Sequence, residues 1–294
     1  MMRKLLVLLL MVFLVFTFAA CEKTDTPTTD STKNEEHSFS STEKETHSSA
    51  ATEFQQEELH VPFTPISSVE DYFDLYKFTP PESAGNIQYL FHQPIRQTGR
   101  AYPLIIFLHG LGDTVNERQM GTAGPLVTSL IRLENDSELY STYTLVPTTP
   151  LANEGWWKDW QFNFLKELIP HLVENYNIDA KRIYVTGISM GGYTTCRLVN
   201  YMPPDTFAAA VPLSGAYDLI KPDAFLNTAF RIYHSEKDTV VNVSCSRSLY
   251  QQLLFCKHPN AEYIEYEDGS HTSPLYSVYN DRSFFRWLFA QRLP

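Results

Sequence analysis

The sequence predicts an α/β fold built on a mostly parallel central sheet with helices on both faces. Between Val61 and Pro294, short apolar runs alternate with longer helical patterns, the order in which strand–helix–strand units are laid down. The apolar run Arg182-Ile183-Tyr184-Val185-Thr186 leads straight into Gly187-Ile188-Ser189-Met190-Gly191-Gly192, a glycine-rich passage from strand to helix. No internal repeat or second linker interrupts this segment, so one domain of about 235 residues is expected.

Strands are expected at Gln88-Phe91, Leu104-Leu108, Tyr143-Val146, Ile183-Thr186, Ala208-Leu213, Ala229-Tyr233 and Tyr263-Tyr266, each a short apolar run bounded by polar or turn-forming residues. Helices are expected near Leu126-Glu134, Asp159-Tyr176, Met190-Tyr201, Ser246-Cys256 and Arg282-Arg292. The third of these stops before Pro203-Pro204, where proline cannot continue a helix.

Gly187-x-Ser189-x-Gly191 between a strand and a helix is the pattern of a nucleophile elbow, and with it the expected architecture becomes the α/β-hydrolase fold. The turn is so sharp that the positions two before and two after the serine lie against other backbone, where a side chain would collide. Glycine occupies both.

A serine nucleophile needs a base, and the base needs an acid to orient it. In this fold they follow in the order Ser, Asp or Glu, His. The histidines after Ser189 are His234, His258 and His271. Asp238 follows the strand Ala229-Tyr233, and His271 follows the next strand, in Asp268-Gly269-Ser270-His271-Thr272; both therefore fall on loops at the carboxyl edge of the sheet. Asp238 and His271 are the candidate acid and base, with Glu236 or Asp223 as alternative acids and His258 as the alternative base. The oxyanion needs two backbone donors: Met190, after the nucleophile, and Leu111, in the loop His109-Gly110-Leu111-Gly112 that follows Leu104-Leu108. His109 precedes the serine and is read as a structural residue shaping that loop. Trp156 and Trp157, after a strand end, are candidate walls of the substrate pocket.

These residues carry a resemblance. Tyr102-Pro103-Leu104 through Gly112, the elbow, Phe207-Ala208-Ala209-Ala210-Val211-Pro212 and His234-Ser235-Glu236-Lys237-Asp238 are similar to the secreted α/β-hydrolases described as predicted peptidases or feruloyl-esterase-like proteins. Val146-Pro147-Thr148-Thr149-Pro150, Trp156-Trp157 and Phe285-Arg286-Trp287-Leu288-Phe289 extend the likeness, which covers about Ile87 to Leu293. It implies the triad Ser189, Asp238, His271 and the oxyanion donors already named. Two departures are His234-Ser235 in place of His-Gly, and Thr272-Ser273 after His271 in place of a small polar residue and Trp. His109-Gly110-Leu111-Gly112-Asp113-Thr114 also resembles the corresponding loop of acyl-thioesterases and lysophospholipases, which keeps lipid-type acyl substrates in view.

The first sixty residues have a different composition. Arg3 and Lys4 precede an apolar run from Leu5 to Phe16, then Ala19-Ala20-Cys21, a secretory leader. Leu5 to Ala20 would span about 24 Å as a helix, short of the roughly 30 Å of a bilayer core. Phe18-Ala19-Ala20-Cys21 resembles a bacterial lipobox, which makes Cys21 the expected lipidation site and residues 1–20 the signal peptide. Residues 21–60 are dominated by Ser, Thr, Glu and Lys and cannot bury enough surface to fold. They read as a tether, with a mean reach of roughly 35 Å, placing residues 61–294 outside the cell and joined to the membrane through lipid.

With 23 basic and 34 acidic residues the net charge is −11, which disfavours nucleic acid as a partner. The cysteines other than Cys21 form no zinc spacing, and Cys245 and Cys256 lie too far apart along one helix to bond. No metal or cofactor is expected. The expectation is a cell-surface, lipid-anchored serine esterase acting on a small or polymer-attached ester, with peptidase, thioesterase or lysophospholipase chemistry as rivals on the same residues, and a ligand-binding lipoprotein as the non-enzyme alternative.

Overall fold

The computed structural model describes residues 64–69, 71–79, 87–113, 121–148, 155 and 158–294. The expected signal peptide, the tether with Cys21, and the pair Trp156-Trp157 lie outside the described residues.

Among the described residues, eight strands form one sheet: β1 (Asp74–Phe78), β2 (Ile87–His92), β3 (Tyr102–Leu108), β4 (Tyr143–Pro147), β5 (Ile178–Ile188), β6 (Ala209–Leu213), β7 (Ala229–Ser235) and β8 (Ala261–Tyr266). Their spatial order is β1-β2-β4-β3-β5-β6-β7-β8. β2 runs antiparallel to both neighbours, and every pair from β4 to β8 is parallel. The helices are α1 (Gly124–Asp136), α2 (Asp159–Asn175), α3 (Met190–Tyr201), α4 (Ser244–Phe255), α5 (Ser273–Tyr279) and α6 (Arg282–Ala290).

The central strand β3 is buried at every position, as a strand covered on both faces must be. Its side chains alternate between two cores. Leu104, Ile106 and Leu108 join Phe162, Leu165 and Leu168 of α2 and Leu198 of α3. Ile105 and Phe107 join Leu126 and Leu130 of α1, Leu275 of α5 and Phe284 of α6 on the opposite face. Each such side chain contributes about 1.5–3 kcal/mol on burial, so the alternation clamps the sheet from both sides.

The parallel register brings the strand ends onto one edge. Leu108 pairs with Gly187, Ile188 with Leu213, Leu213 with Tyr233, and Ser235 with Tyr266. The chain leaves β3, β5, β7 and β8 at this edge, into the loops that carry Leu111, Ser189, Asp238 and His271.

All seven expected strands and five expected helices are present, with ends displaced by a few residues. Among the described strands and α-helices, two are additional. β1 is an edge strand whose Asp74, Leu75 and Lys77 are exposed, so it lacks an apolar pattern. α5 opens with Ser273-Pro274, a loop-like start, and spans seven residues.

Candidate active site

Ser189 sits between β5 and α3 with φ 58° and ψ −119°, a conformation that costs a non-glycine residue about 1–3 kcal/mol. Surrounding structure enforces it: the Ser189 N–H donates to the Leu213 carbonyl at 2.9 Å, and the Tyr193 N–H donates to the Ser189 carbonyl at 3.0 Å. A Cβ on Gly187 or Gly191 would overlap the Leu108 carbonyl oxygen, which is the physical reason for glycine at both positions. The serine is only partly buried, and Met190 behind it is buried.

Across the same edge, Nδ1 of His271 donates to Oδ2 of Asp238 at 2.6 Å. The Val240 and Val241 N–H groups donate to Oδ1 of the same carboxylate at 2.8 and 3.0 Å. Burial alone would push the Asp238 carboxyl up. The hydrogen bonds from His234 and His271 and from the two amides outweigh it and hold the group well below the usual carboxylate range. Asp238 is therefore an anion at neutral pH, and a neutral His271 ring keeps its proton on Nδ1 and its lone pair on Nε2.

The alternatives are placed elsewhere. Glu236 is exposed, 3.8 Å from Arg247. Asp223 is exposed in the short 3-10 helix Pro222–Phe225. His258 donates from Nε2 to the Phe225 carbonyl at 3.0 Å and accepts the Asn260 N–H on Nδ1 at 3.2 Å, which uses both ring nitrogens structurally.

The loop after β3 lies against the nucleophile, since a Cβ on Gly110 would be 4.0 Å from the Ser189 Cβ. Leu111 is 43 % exposed within it. His109 is buried and donates from Nδ1 to the Gly110 carbonyl at 2.9 Å; burial pushes its pKa down, so the ring is neutral and shapes the loop. Asp113 and Thr122 fasten that loop, neither of them singled out for this role by sequence. The Asp113 carboxylate accepts the Thr122 N–H at 2.7 Å and its hydroxyl at 2.6 Å, and the Thr122 oxygen accepts the Gly110 N–H at 3.3 Å. They are nine positions apart and carry no local signal of contact. Among the described residues, no group of three or more His, Cys, Asp or Glu is arranged to hold a metal ion.

A crystal structure of a thermostable esterase is similar to this one with a TM-score of 0.66, at 30% identity, over 76% of this chain and 64% of that one. The chain has the α/β-hydrolase fold. Residues 151–230, which include the elbow, match the prolyl oligopeptidase family. Poly(3-hydroxyalkanoate) depolymerase C of Paucimonas lemoignei is 28% identical over 141 residues, 45% of this chain and 32% of the relative. A bifunctional acetylxylan esterase/xylanase of Neocallimastix patriciarum is 30% identical over 117 residues, 38% of this chain and 16% of the relative. The chain thus spans about a third or less of these two relatives. The likeness to esterases agrees with the feruloyl-esterase-like resemblance carried by the motifs.

Proposed function

We propose that this α/β-hydrolase is a serine esterase that cleaves carboxylic esters through an acyl-enzyme. The observation that carries the reading is the 2.6 Å contact from His271 Nδ1 to Asp238 Oδ2, at the sheet edge where the strained Ser189 stands. Ser189 Oγ attacks the ester carbonyl while His271 Nε2 takes its proton. Asp238 stabilises the resulting imidazolium, and the N–H groups of Met190 and Leu111 receive the oxyanion. His271 returns the proton to the departing alcohol, and water repeats the sequence on the acyl-enzyme to release the acid.

Ester chemistry is favoured because two of these relatives are esterases by name, and the polymer in the depolymerase's name, a poly(3-hydroxyalkanoate), is a polyester. An ester also offers a better leaving group than an amide, so less is asked of the site. In this reading Cys21 carries lipid and residues 21–60 hold the domain off the outer surface of the membrane, where small or polymer-attached esters are within reach.

A peptidase reading is favoured by one observation, the prolyl oligopeptidase match over residues 151–230. Turnover of p-nitrophenyl acetate, methyl ferulate, acetylated xylan and an aminoacyl p-nitroanilide separates the two. The esterase reading expects kcat/KM on an ester at least about 100-fold above that on the anilide. A preference for the anilide would overturn it.

A further inference from the structure

His234 is the penultimate residue of β7, and its side chain is fully buried. Its Nε2 lies 3.2 Å from Oδ2 of Asp238 and 3.2 Å from the Val241 carbonyl. Its Nδ1 lies 2.7 Å from the Ser246 hydroxyl. Both neighbours of Nε2 can only accept, so this nitrogen carries a proton whatever the state of the ring. Oδ2 of Asp238 thus serves two imidazoles, His271 at 2.6 Å and His234 at 3.2 Å.

We infer that His234 is a positioning residue of the proposed triad: a second imidazole that shares Oδ2 of Asp238 with His271, fixing the carboxylate and partly neutralising it. The inference rests on the esterase reading for its catalytic consequence, and on the two contacts to Oδ2 for its physical basis.

Several groups decide the charge His234 carries. Asp238 faces it from its own loop, and Cys245 and Ser246 face it from the first turn of α4. Glu265 is its register partner on β8. Tyr193 of α3 stands behind Cys245, and His271 lies across the shared carboxylate. Burial would keep the ring neutral, but the hydrogen bonds to Asp238 and Cys245 outweigh it and raise its pKa to about 9. Near neutral pH the ring is a cation held in place on both nitrogens. A cation beside Oδ2 draws off part of the negative charge that Asp238 would otherwise present to His271. Removing that cation restores the full carboxylate charge beside the base, a change read in the acid limb of the rate profile.

The test uses the full chain with p-nitrophenyl acetate, comparing wild type, His234→Gln, which keeps an amide N–H but no charge, and His234→Phe, which keeps neither. The expected result is a fall in kcat of about 10- to 100-fold for His234→Phe and a smaller one for His234→Gln, with KM within about twofold. The acid midpoint of kcat/KM should move upward by about 0.5 unit or more in both variants. A purely structural role would lower the rate with the folded fraction and leave the midpoint where it was, which would overturn the proposal. A second measurement needs no variant: nitrogen-15 NMR of histidine-labelled wild type should show a doubly protonated His234 ring at pH 7.5, and a neutral ring there would equally overturn it. If Ser189→Ala hydrolysed the ester as fast as wild type, the esterase reading would fall, while the NMR result would still decide the His234–Asp238 pairing.

Discussion

The Tyr279 phenol donates a hydrogen bond to the Thr186 hydroxyl, 2.7 Å away in the buried layer between α5 and β5. The direction follows from the Thr186 proton, which goes to the Val211 carbonyl at 2.8 Å. One contact thus fastens the helix that follows His271 to the strand that delivers Ser189. Tyr279→Phe should cost about 1 kcal/mol, a fall in Tm of about 2–4 °C, and lower kcat severalfold with KM unchanged. Calorimetry and ester kinetics on the same preparation check both.

The histidines should separate cleanly on mutation. His271→Ala and Asp238→Asn are expected to lower kcat for p-nitrophenyl acetate by about 10,000-fold. His258→Ala, which removes only the contacts to Phe225 and Asn260, should leave kcat within a few-fold and cost about 1 kcal/mol of stability. Loss of activity in His258→Ala with retention in His271→Ala would reassign the base.

Thr122 holds the candidate oxyanion loop to Asp113 and Gly110. Thr122→Val keeps the shape and removes the hydroxyl, so the loop should lose its fixed distance to the reacting carbonyl. A fall in kcat of about tenfold with little change in KM is expected, since oxyanion donors act on the transition state. Steady-state kinetics would reveal a KM effect instead if the loop only binds substrate.

Stability should depend on pH through His234 and Asp238. The folded pKa of His234 is raised from 6.5 to about 9, so its contribution is complete below about 6.5 and is lost as pH rises toward 9. Asp238 is lowered from 3.8, so its contribution is complete above about 4 and is lost on acidification. Thermal melts should show a falling Tm between pH 6.5 and 9 that is flattened in His234→Gln, and a loss below pH 4 that is reduced in Asp238→Asn.

Much of this arrangement is legible in the sequence because it follows from local pattern. The unbroken apolar run Leu104-Leu108 and the run into Gly187 declare buried parallel strands, and the order Ser189, Asp238, His271 follows from which strand each residue trails. β1 is not legible, because an exposed edge strand needs no apolar alternation. Nor is α5, whose seven residues are held by Leu275, Val278 and Tyr279 packed in the core rather than by a helical pattern. The second imidazole on Asp238 leaves only the spacing His234 to Asp238 as a trace; its contact arises because the chain turns back after β7. Thr122 reaches Asp113 only once α1 has been packed beside the β3 loop.

The central claim is that Ser189 is a nucleophile activated by the Asp238–His271 pair. Intact-mass spectrometry of the full chain after treatment with a fluorophosphonate tests it most directly. A single phosphonyl adduct is expected, mapped to Ser189 by peptide sequencing, absent from Ser189→Ala and slowed by orders of magnitude in His271→Ala. No adduct on the wild-type chain, or an adduct that persists in Ser189→Ala, would contradict the account.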